Sequence, residues 1–157
     1  MSAYSIGFSS CCRHIKSYQP EKGSDRSSGY DLKADIPKPI MLTADRRFYA
    51  VPTGVKLFLD VAENDISIDA QVRSRSGLAA KHSTFVLNSP GTIDTDYEGE
   101  IVAIMAYLGS EAFRIEPEMR IAQLVFSERL PIRLVEGLKN STISYRKEAG
   151  FGSTGLF

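Results

Sequence analysis

ISIDAQVR, at residues 66–73, carries the clearest structural periodicity of this chain. Its apolar residues Ile66, Ile68, Ala70 and Val72 alternate strictly with polar residues. A period of two places alternate side chains on opposite faces of an extended backbone. The stretch therefore predicts a β-strand with one buried face and one polar face.

The alternation ends where SRSGLAAKH begins, at residues 74–82. Good helix formers follow Ser76, which predicts a short helix with Ser76 at or near its N-cap. The first N–H groups of a helix lack internal acceptors, so Arg75, Ser76 and Gly77 form a candidate phosphate site. Arg75 adds a planar set of donors that suits phosphate oxygens. A capping serine beside a surface arginine is the alternative explanation.

NSPGTIDTDYEG, at residues 88–99, follows further along the chain. Asp94, Asp96 and Glu98 alternate there, and the Pro-Gly pair near its start is typical of a turn. The apolar run at 100–108 predicts a buried strand. We expect a hairpin that displays Ile93, Asp94, Asp96 and Tyr97. A solvated acidic hairpin without chemistry is the alternative.

Further strands are expected at residues 5–14, 30–35, 55–61, 85–88 and 119–126. Residues 130–136 also alternate, and a proline within them indicates an edge strand. Many short strands and one short helix predict an all-β sandwich, jelly roll or barrel. With 157 residues the chain has the size of one domain, made of a β domain at 1–136 and a C-terminal arm at 137–157.

Composition excludes several classes of partner. Lys+Arg and Asp+Glu both number 19, so the zero net charge gives no general attraction to nucleic acid or to an anionic membrane. No apolar run has the length of a signal peptide core or a membrane span. The adjacent Cys11 and Cys12 are expected to be reduced thiols, which indicates a cytoplasmic protein, or a nuclear one if the source is eukaryotic or viral.

The C-terminal arm combines an arginine, an aromatic residue and several glycines. Arg146 precedes GFGSTG at residues 150–155. Glycines let backbone amides approach a ligand, and Phe151 offers a face on which a base can stack. A disordered tail is the alternative, and such a tail could become ordered on a ligand. Together, the acidic stretch, the helix start and the arm supply the parts needed to hydrolyse a nucleoside polyphosphate.

Five ordered segments resemble the motifs of the homotrimeric dUTPases (dUTP diphosphatases), over residues 28–155. They are SGYDL at 28–32, RSGLA at 75–79, NSPGTIDTDYEG at 88–99, RIAQL at 120–124, and Arg146 with GFGSTG at 150–155. Each motif is short, but five in this order and spacing form a specific signal.

The resemblance implies a jelly roll that assembles as a homotrimer with active sites between subunits. It also implies that Asp94 is the general base, which activates water for attack on the α-phosphorus of dUTP and yields dUMP and pyrophosphate. Such an enzyme keeps uracil out of DNA and supplies dUMP for thymidylate synthesis. Tyr97 would pack under the deoxyribose and exclude both a 2′-hydroxyl and a 5-methyl base. Residues alone do not distinguish Asp94 from Asp96 as the base.

The resemblance also implies the groups that bind the substrate. Mg²⁺ would be held mainly by the triphosphate and water, with Asp31 touching it through water only. Three sets of residues would bind dUTP: Asn88, Thr92 and Ile93 at the uracil, Arg75, Ser76, Gly77 and Gln123 at the phosphates, and Arg146, Phe151, Gly152, Ser153 and Thr154 closing over both.

The chain departs from the family pattern at several positions. Ser74 replaces the proline usual before the second motif, and Glu118-Met119 replaces the Gly-Asp usual before Arg120. Glu98 stands where an arginine is usual, and residues 147–149 are bulkier than the small residues common there. No residue with an implied role is lost.

Two other functions compete with dUTP hydrolysis. A dCTP deaminase, on a related fold, uses a glutamate on the strand after the acidic stretch, where this chain has Ala103, Ile104 and Met105. A regulatory binding protein that uses the same fold as a partner surface is the second alternative. Retention of Asp94 and Phe151 favours the enzyme.

Overall fold

The computed structural model describes residues 5–16, 18–59 and 67–136. Within these ranges the chain forms eleven β-strands and one α-helix. The first strands are β1 (Gly7–Ser10), β2 (Gly29–Lys33), β3 (Ile40–Leu42), β4 (Phe48–Pro52), β5 (Val55–Phe58) and β6 (Ser67–Ser74). After them come α1 (Ser76–His82), β7 (Thr84–Val86), β8 (Gly91–Ile93), β9 (Val102–Tyr107), β10 (Phe113–Ile115) and β11 (Arg120–Arg129).

The strands form two larger sheets and two strand pairs. The four-stranded sheet has the order β2-β11-β6-β8, and the three-stranded sheet has the order β4-β9-β7. The pairs are β1 with β5 and β3 with β10, and every pairing is antiparallel. None of the described sheets closes into a barrel, so the all-β, jelly-roll-like sandwich predicted from the sequence is confirmed.

Alternation in β6 has the predicted consequence for burial. Ile68, Ala70 and Val72 are buried, whereas Asp69 and Gln71 on the other face are half-buried. The buried face joins one hydrophobic cluster with residues of the three-stranded sheet, among them Met105 of β9. The core therefore lies between the two larger sheets, and each fully buried aliphatic side chain contributes roughly 1.5–3 kcal/mol.

The hairpin predicted around residues 88–99 is confirmed in its arms, because β7 and β9, which flank the stretch, pair antiparallel. β8 pairs with β6, where Ile93 lies opposite Ala70. β9 instead pairs with β4 and β7 in the other sheet. The stretch therefore leaves the three-stranded sheet after β7, adds β8 to the four-stranded sheet and returns to β9, so Ile93 lies in a different sheet from the two arms.

The strand predicted at residues 130–136 is wrong. β11 ends at Arg129, opposite Ser67 of β6, and the chain beyond it has no strand partner among the described residues. Leu134 is 94% exposed and Ile132 is 75% exposed. This segment has no described sheet to pack against, so the apolar side chains of 130–135 lie on the surface despite their alternation.

Several boundaries differ from the expected ones by a few residues. The strand expected at 5–14 is limited to β1, because residues 13–15 leave it and donate their amides to the buried carboxylate of Asp35. The helix begins at Ser76, and its N-cap is Arg75, which makes no side-chain cap.

The proposed arm at 137–157 lies outside the described residues, so the domain division stays a prediction. No described helix is long and apolar enough to cross a membrane.

Glu118 has a backbone conformation that favours glycine. Its φ is 61°, in the left-handed region, where a side chain costs roughly 1 kcal/mol because Cβ crowds the backbone. Hydrogen bonds hold it there, since its N–H donates to Ala34 O at 2.9 Å and Ala34 N–H donates to Met119 O at 2.9 Å. This position corresponds to the first residue of the Gly-Asp pair expected from the family pattern.

We predict that Glu118→Gly raises the free energy of unfolding by about 0.5–1 kcal/mol, because glycine relieves the left-handed strain. Glu118→Ala is the matched control, since it removes the same charge but keeps a Cβ. Thermal and urea unfolding would measure both variants. Equal stabilisation by the two substitutions would show that charge, rather than backbone conformation, limits stability at this position.

Candidate functional site

Asp31 of β2 is the centre of the first group of candidate residues. Its carboxylate is buried and accepts a hydrogen bond from Arg75 Nε at 3.0 Å and from an Nη of Arg120 at 3.2 Å. The arginines come from the ends of β6 and β11, so one carboxylate connects three strands of the sheet. A buried carboxylate needs such partners, because an unpaired charge is costly away from water.

Tyr18 holds the backbone that directly follows the Asp31 side chain. Its hydroxyl donates to Asp31 O at 2.6 Å and accepts the N–H of Lys33 at 3.0 Å. Burial raises the pKa of Tyr18 to about 12. Sequence reasoning did not identify Tyr18, because a tyrosine before a loop carries no signal of its role.

Two of the four predicted phosphate-binding residues, Arg75 and Gln123, lie beside Asp31. A guanidinium nitrogen of Arg75 also donates to Arg120 O at 3.2 Å, and Gln123 lies directly opposite Asp31 on the neighbouring strand. Ser76 and Gly77 are exposed, with open space beside Gly77. Arg120 was quoted within the fourth motif but was given no role of its own.

A second group of candidate residues lies on β8 and its flanks. Thr92 is exposed and Ile93 is half-buried. The amide of Asn88 lies against Gly91, where a Cβ would be 3.0 Å from the Asn88 side-chain nitrogen. Gly91 therefore permits a close approach that a larger residue would obstruct. The exposed backbone and amide groups of this group are able to read the edge of a base.

Asp94 follows β8 directly and begins a tight turn. Tyr97 N–H donates to Asp94 O at 3.1 Å. The carboxylates of Asp94 and Asp96 are both exposed, and neither has a recorded hydrogen bond to another described residue. Both carboxylates are therefore free to accept a hydrogen bond from water, and the structure does not separate their roles.

Tyr97 is held by its own loop. Its hydroxyl donates to Glu100 O at 2.9 Å, and a Cβ at Gly99 would lie only 2.4 Å from the tyrosine ring. The side chain remains 44% exposed. Because the hydroxyl is engaged within the loop, Tyr97 offers other molecules mainly its apolar ring.

The two groups lie at opposite edges of one sheet. β2, with Asp31, and β8, with Thr92, are the outer strands of the order β2-β11-β6-β8. Three spacings of about 4.8 Å separate them, roughly 14 Å in all. Arg75 points towards β2, away from β8. Arg75 lies five residues along β6 from Ala70, the partner of Ile93, which is roughly 16 Å along the strand. One chain therefore does not bring Asp94 and the arginines to one point.

Two cavities on the described surface lie away from both groups. One is lined mainly by apolar residues, including Phe8, Tyr30 and Phe126. The other has a mixed lining that includes Arg13, Arg46 and Met41. Neither contains Asp94, Tyr97 or Arg75.

No group of three or more His, Cys, Asp or Glu side chains among the described residues is arranged to hold a metal ion. Five predicted residues lie outside the described part of the chain: Arg146, Phe151, Gly152, Ser153 and Thr154.

Comparison with known proteins gives one consistent family. The family model described as dUTPase matches residues 16–155. A curated relative, the deoxyuridine 5'-triphosphate nucleotidohydrolase of Chlamydia pneumoniae, is 45% identical over 136 residues, which cover 87% of this chain and 90% of that protein.

Solved structures agree in fold. A dUTPase from Streptococcus mutans is 28% identical with a TM-score of 0.68, over 81% of this chain and 98% of that one. A mutant dUTPase of Staphylococcus bacteriophage 80alpha with dUpNHpp has a TM-score of 0.76 at 20% identity, over 98% of this chain and 100% of that one. At that identity the second likeness is evidence for the fold alone.

We predict that Tyr18→Phe costs about 1–3 kcal/mol of stability, because Lys33 N–H and Asp31 O lose a buried partner. The substitution should also change the pH dependence. A raised folded-state pKa means that the contribution of Tyr18 is complete below about pH 10 and is lost as pH rises to about 12. Urea unfolding at pH 8 and pH 11 would measure this. The same loss of stability in both proteins above pH 10 would contradict the prediction.

Proposed function

Because the chain belongs to the dUTPase family, we propose that it hydrolyses dUTP to dUMP and pyrophosphate with Asp94 as the general base. The observation that carries the activity is the family match over residues 16–155, together with 45% identity to a named dUTP nucleotidohydrolase. The roles of individual residues rest on the resemblance of the motifs and on the geometry described above.

Asp94 is suited to activate water. Its carboxylate is exposed and has no recorded partner among the described residues, so a water molecule can donate to it. The turn that it begins is closed by Tyr97 N–H, which fixes the backbone of Asp94. A base held in place deprotonates the attacking water as its oxygen approaches the α-phosphorus.

Arg75 and Arg120 are suited to bind the triphosphate. Two positive charges share the one negative charge of Asp31, so the cluster keeps an excess positive charge. Each guanidinium also retains N–H groups that Asp31 does not use, and these can donate to phosphate oxygens. The amides at the helix start, from Ser76 and Gly77, and the amide of Gln123 add neutral donors.

Uracil and deoxyribose would bind at the second group of residues, on β8 and its flanks. Asn88 and the backbone of Thr92 and Ile93 offer donors and acceptors to the uracil edge. The ring of Tyr97 would pack under the sugar. Since its hydroxyl is bound to Glu100 O, the ring presents no free donor to a 2′-hydroxyl and occupies the space that this group needs.

The residues fit Mg²⁺ that is bound mainly by the substrate. Both Asp31 oxygens already pair with arginines, but each retains a lone pair that can accept a hydrogen bond from a metal-bound water. With no cluster of three potential ligands in the described residues, a cage made by the protein is not favoured there. Charge neutralisation along the triphosphate is the chemistry that bound Mg²⁺ supplies.

A homotrimer with active sites between subunits is supported by the separation of the two groups. Asp31 and Thr92 lie on opposite edges of one sheet, so the phosphate-binding edge of one subunit must meet the Asp94 edge of another to complete a site. Exposed apolar side chains at 130–135 offer surface that a partner can bury. Arg146, Phe151, Gly152, Ser153 and Thr154 would then close over the nucleotide from the arm.

The deaminase alternative finds no support in β9. This strand reads VAIMAY and carries no carboxylate, and Ala103 and Met105 are fully buried in the core. A side chain at either position would therefore point into the hydrophobic cluster. Deamination of a bound base would need an acid that this strand does not provide.

We predict that Asp94→Asn lowers kcat for dUTP by about 10²–10⁴-fold and leaves the affinity for a non-hydrolysable analogue nearly unchanged. Asp96→Asn is the matched control, because it removes an equally exposed carboxylate two residues away and should change kcat by less than about tenfold. Pyrophosphate release and analogue titration would measure both variants. Near-normal turnover by Asp94→Asn would show that another group is the base.

A second experiment tests whether sites are shared between subunits. A chain ending at Glu136 and an Asp94→Asn chain should each assemble as trimers of very low activity, because one lacks the arm and the other lacks the base. Trimers re-formed from a mixture should recover activity wherever the arm of one chain meets an intact Asp94 of another. Light scattering and native mass spectrometry would establish the assemblies. A fully active monomer would contradict the proposal, and confirmed mixed trimers without activity would mean that each arm serves the site that holds its own Asp94.

A further inference from the structure

Glu100 occupies the point where the stretch 88–99 returns to the core. Its side chain is half-buried, and its carboxylate accepts the N–H of Gly54 at 2.8 Å. Gly54 belongs to the turn between β4 and β5, which is 46 residues away in sequence. The carboxylate therefore connects the acidic stretch to a part of the fold that carries no residue proposed to bind nucleotide.

Gly54 is a rigid anchor for this carboxylate. Its φ is 68°, and a Cβ there would lie 2.2 Å from Cys12 Sγ and 2.9 Å from Cys12 Cα, so only glycine fits. Its carbonyl accepts the N–H of Cys11 at 2.8 Å and the thiol of Cys12 at 3.5 Å. Both cysteines are free thiols. These contacts at the carbonyl and the Cα of Gly54 leave its N–H little freedom of direction.

The same turn also holds the next residue along the chain. Thr53 Oγ1 donates to Ile101 O at 2.7 Å, and Ile101 N–H donates to Val55 O at 2.8 Å. Thr53 and Ile101 are both buried. Glu100 O and Ile101 N–H belong to one peptide, so this peptide is held by Val55 O on one side and, through the Glu100 carboxylate, by Gly54 N–H on the other.

Tyr97 depends on that residue for its orientation. The only recorded hydrogen bond of its hydroxyl within the described residues is the one to Glu100 O, at 2.9 Å. A tyrosine that is 44% exposed would otherwise choose among several rotamers. Any movement of the peptide after Glu100 therefore moves the acceptor that holds the ring.

We propose that Glu100 is a positioning residue for sugar specificity. Its carboxylate, bound to Gly54 N–H, holds the carbonyl that orients the Tyr97 ring against the sugar. The inference rests on the proposed role of Tyr97 in excluding the 2′-hydroxyl. Loss of the bond to Gly54 loosens the ring, and a loose ring gives way to a ribose more readily than a fixed one.

Substitutions at Glu100 test this chain of contacts. Glu100→Ala removes the acceptor, and Glu100→Asp keeps the charge but shortens the side chain by one methylene, so that it no longer reaches Gly54. Glu100→Gln is the matched control, since its amide oxygen keeps the acceptor without the charge. The measured quantity is the ratio of kcat/KM for dUTP to kcat/KM for UTP, with thermal unfolding to verify folding.

We expect the ratio to fall about three- to tenfold in the alanine and aspartate variants, the size of one hydrogen bond, and to change less than twofold in the glutamine variant. Tyr97→Phe, which keeps the ring and loses the hydroxyl, should reduce the ratio by a similar factor. The double variant Glu100→Asp with Tyr97→Phe should be no worse than either single variant, because both remove the same link. If the alanine variant does not fold, the aspartate variant carries the comparison.

An unchanged ratio in folded Glu100→Asp, or additive losses in the double variant, would overturn the inference. The variant Tyr97→Ala distinguishes a wrong role for Glu100 from a wrong proposed function. If wild type prefers dUTP and Tyr97→Ala loses the preference while Glu100→Asp keeps it, only the role of Glu100 is wrong. If wild type shows no preference for dUTP over UTP, the proposed function itself is wrong.

Discussion

The buried carboxylate of Asp31 is the interaction on which one half of the site depends. Arg75 and Arg120 both donate to it, and their positive charges compensate a carboxylate that the sheet largely buries. These contacts turn two long side chains, each with many rotamers, into donors of fixed direction, which reduces the entropy lost when a ligand binds. Tyr18 adds rigidity, since its hydroxyl donates to Asp31 O and accepts the N–H of Lys33. A phosphate-binding surface is in this way prepared by the fold itself.

The same sheet that prepares this surface also separates it from the other half. β2 and β8 are outer strands, and Asp94 follows Ile93, which pairs with Ala70 of β6, whereas Arg75 follows the last residue of β6. In the proposed trimer this separation has a consequence for catalysis. An isolated subunit would hold Asp94 and the phosphate-binding arginines in two different half-sites, and neither half-site would be complete. Activity would then depend on assembly of the trimer. Within each shared site, the Gly54–Glu100 contact would determine how precisely the Tyr97 ring is placed against the sugar.

Two departures from the family pattern have physical explanations. Ser74 stands where a proline is usual, and it uses the N–H that proline lacks to donate to Ser89 Oγ at 3.1 Å. Its own Oγ accepts the N–H of Val86 at 3.0 Å. The serine therefore ties the end of β6 to the start of the stretch 88–99. Glu118 is the opposite case, because a left-handed backbone is kept at a position where the side chain opposes it.

Patterns within the sequence were sufficient wherever the cause is local. Alternation determined β6 and the all-β class, because a strand's period of two follows from its own backbone, and the resemblance of the motifs singled out Asp94 and Asp31 as candidates. Alternation failed at 130–136, since it predicts burial only where a second strand supplies a surface to face. The sequence by itself thus determined the fold class and the candidate side chains. Only the tertiary structure decided that 88–99 adds a strand to the other sheet and that Asp31 and Asp94 lie on opposite edges, because strand pairing depends on contacts between residues far apart in the chain.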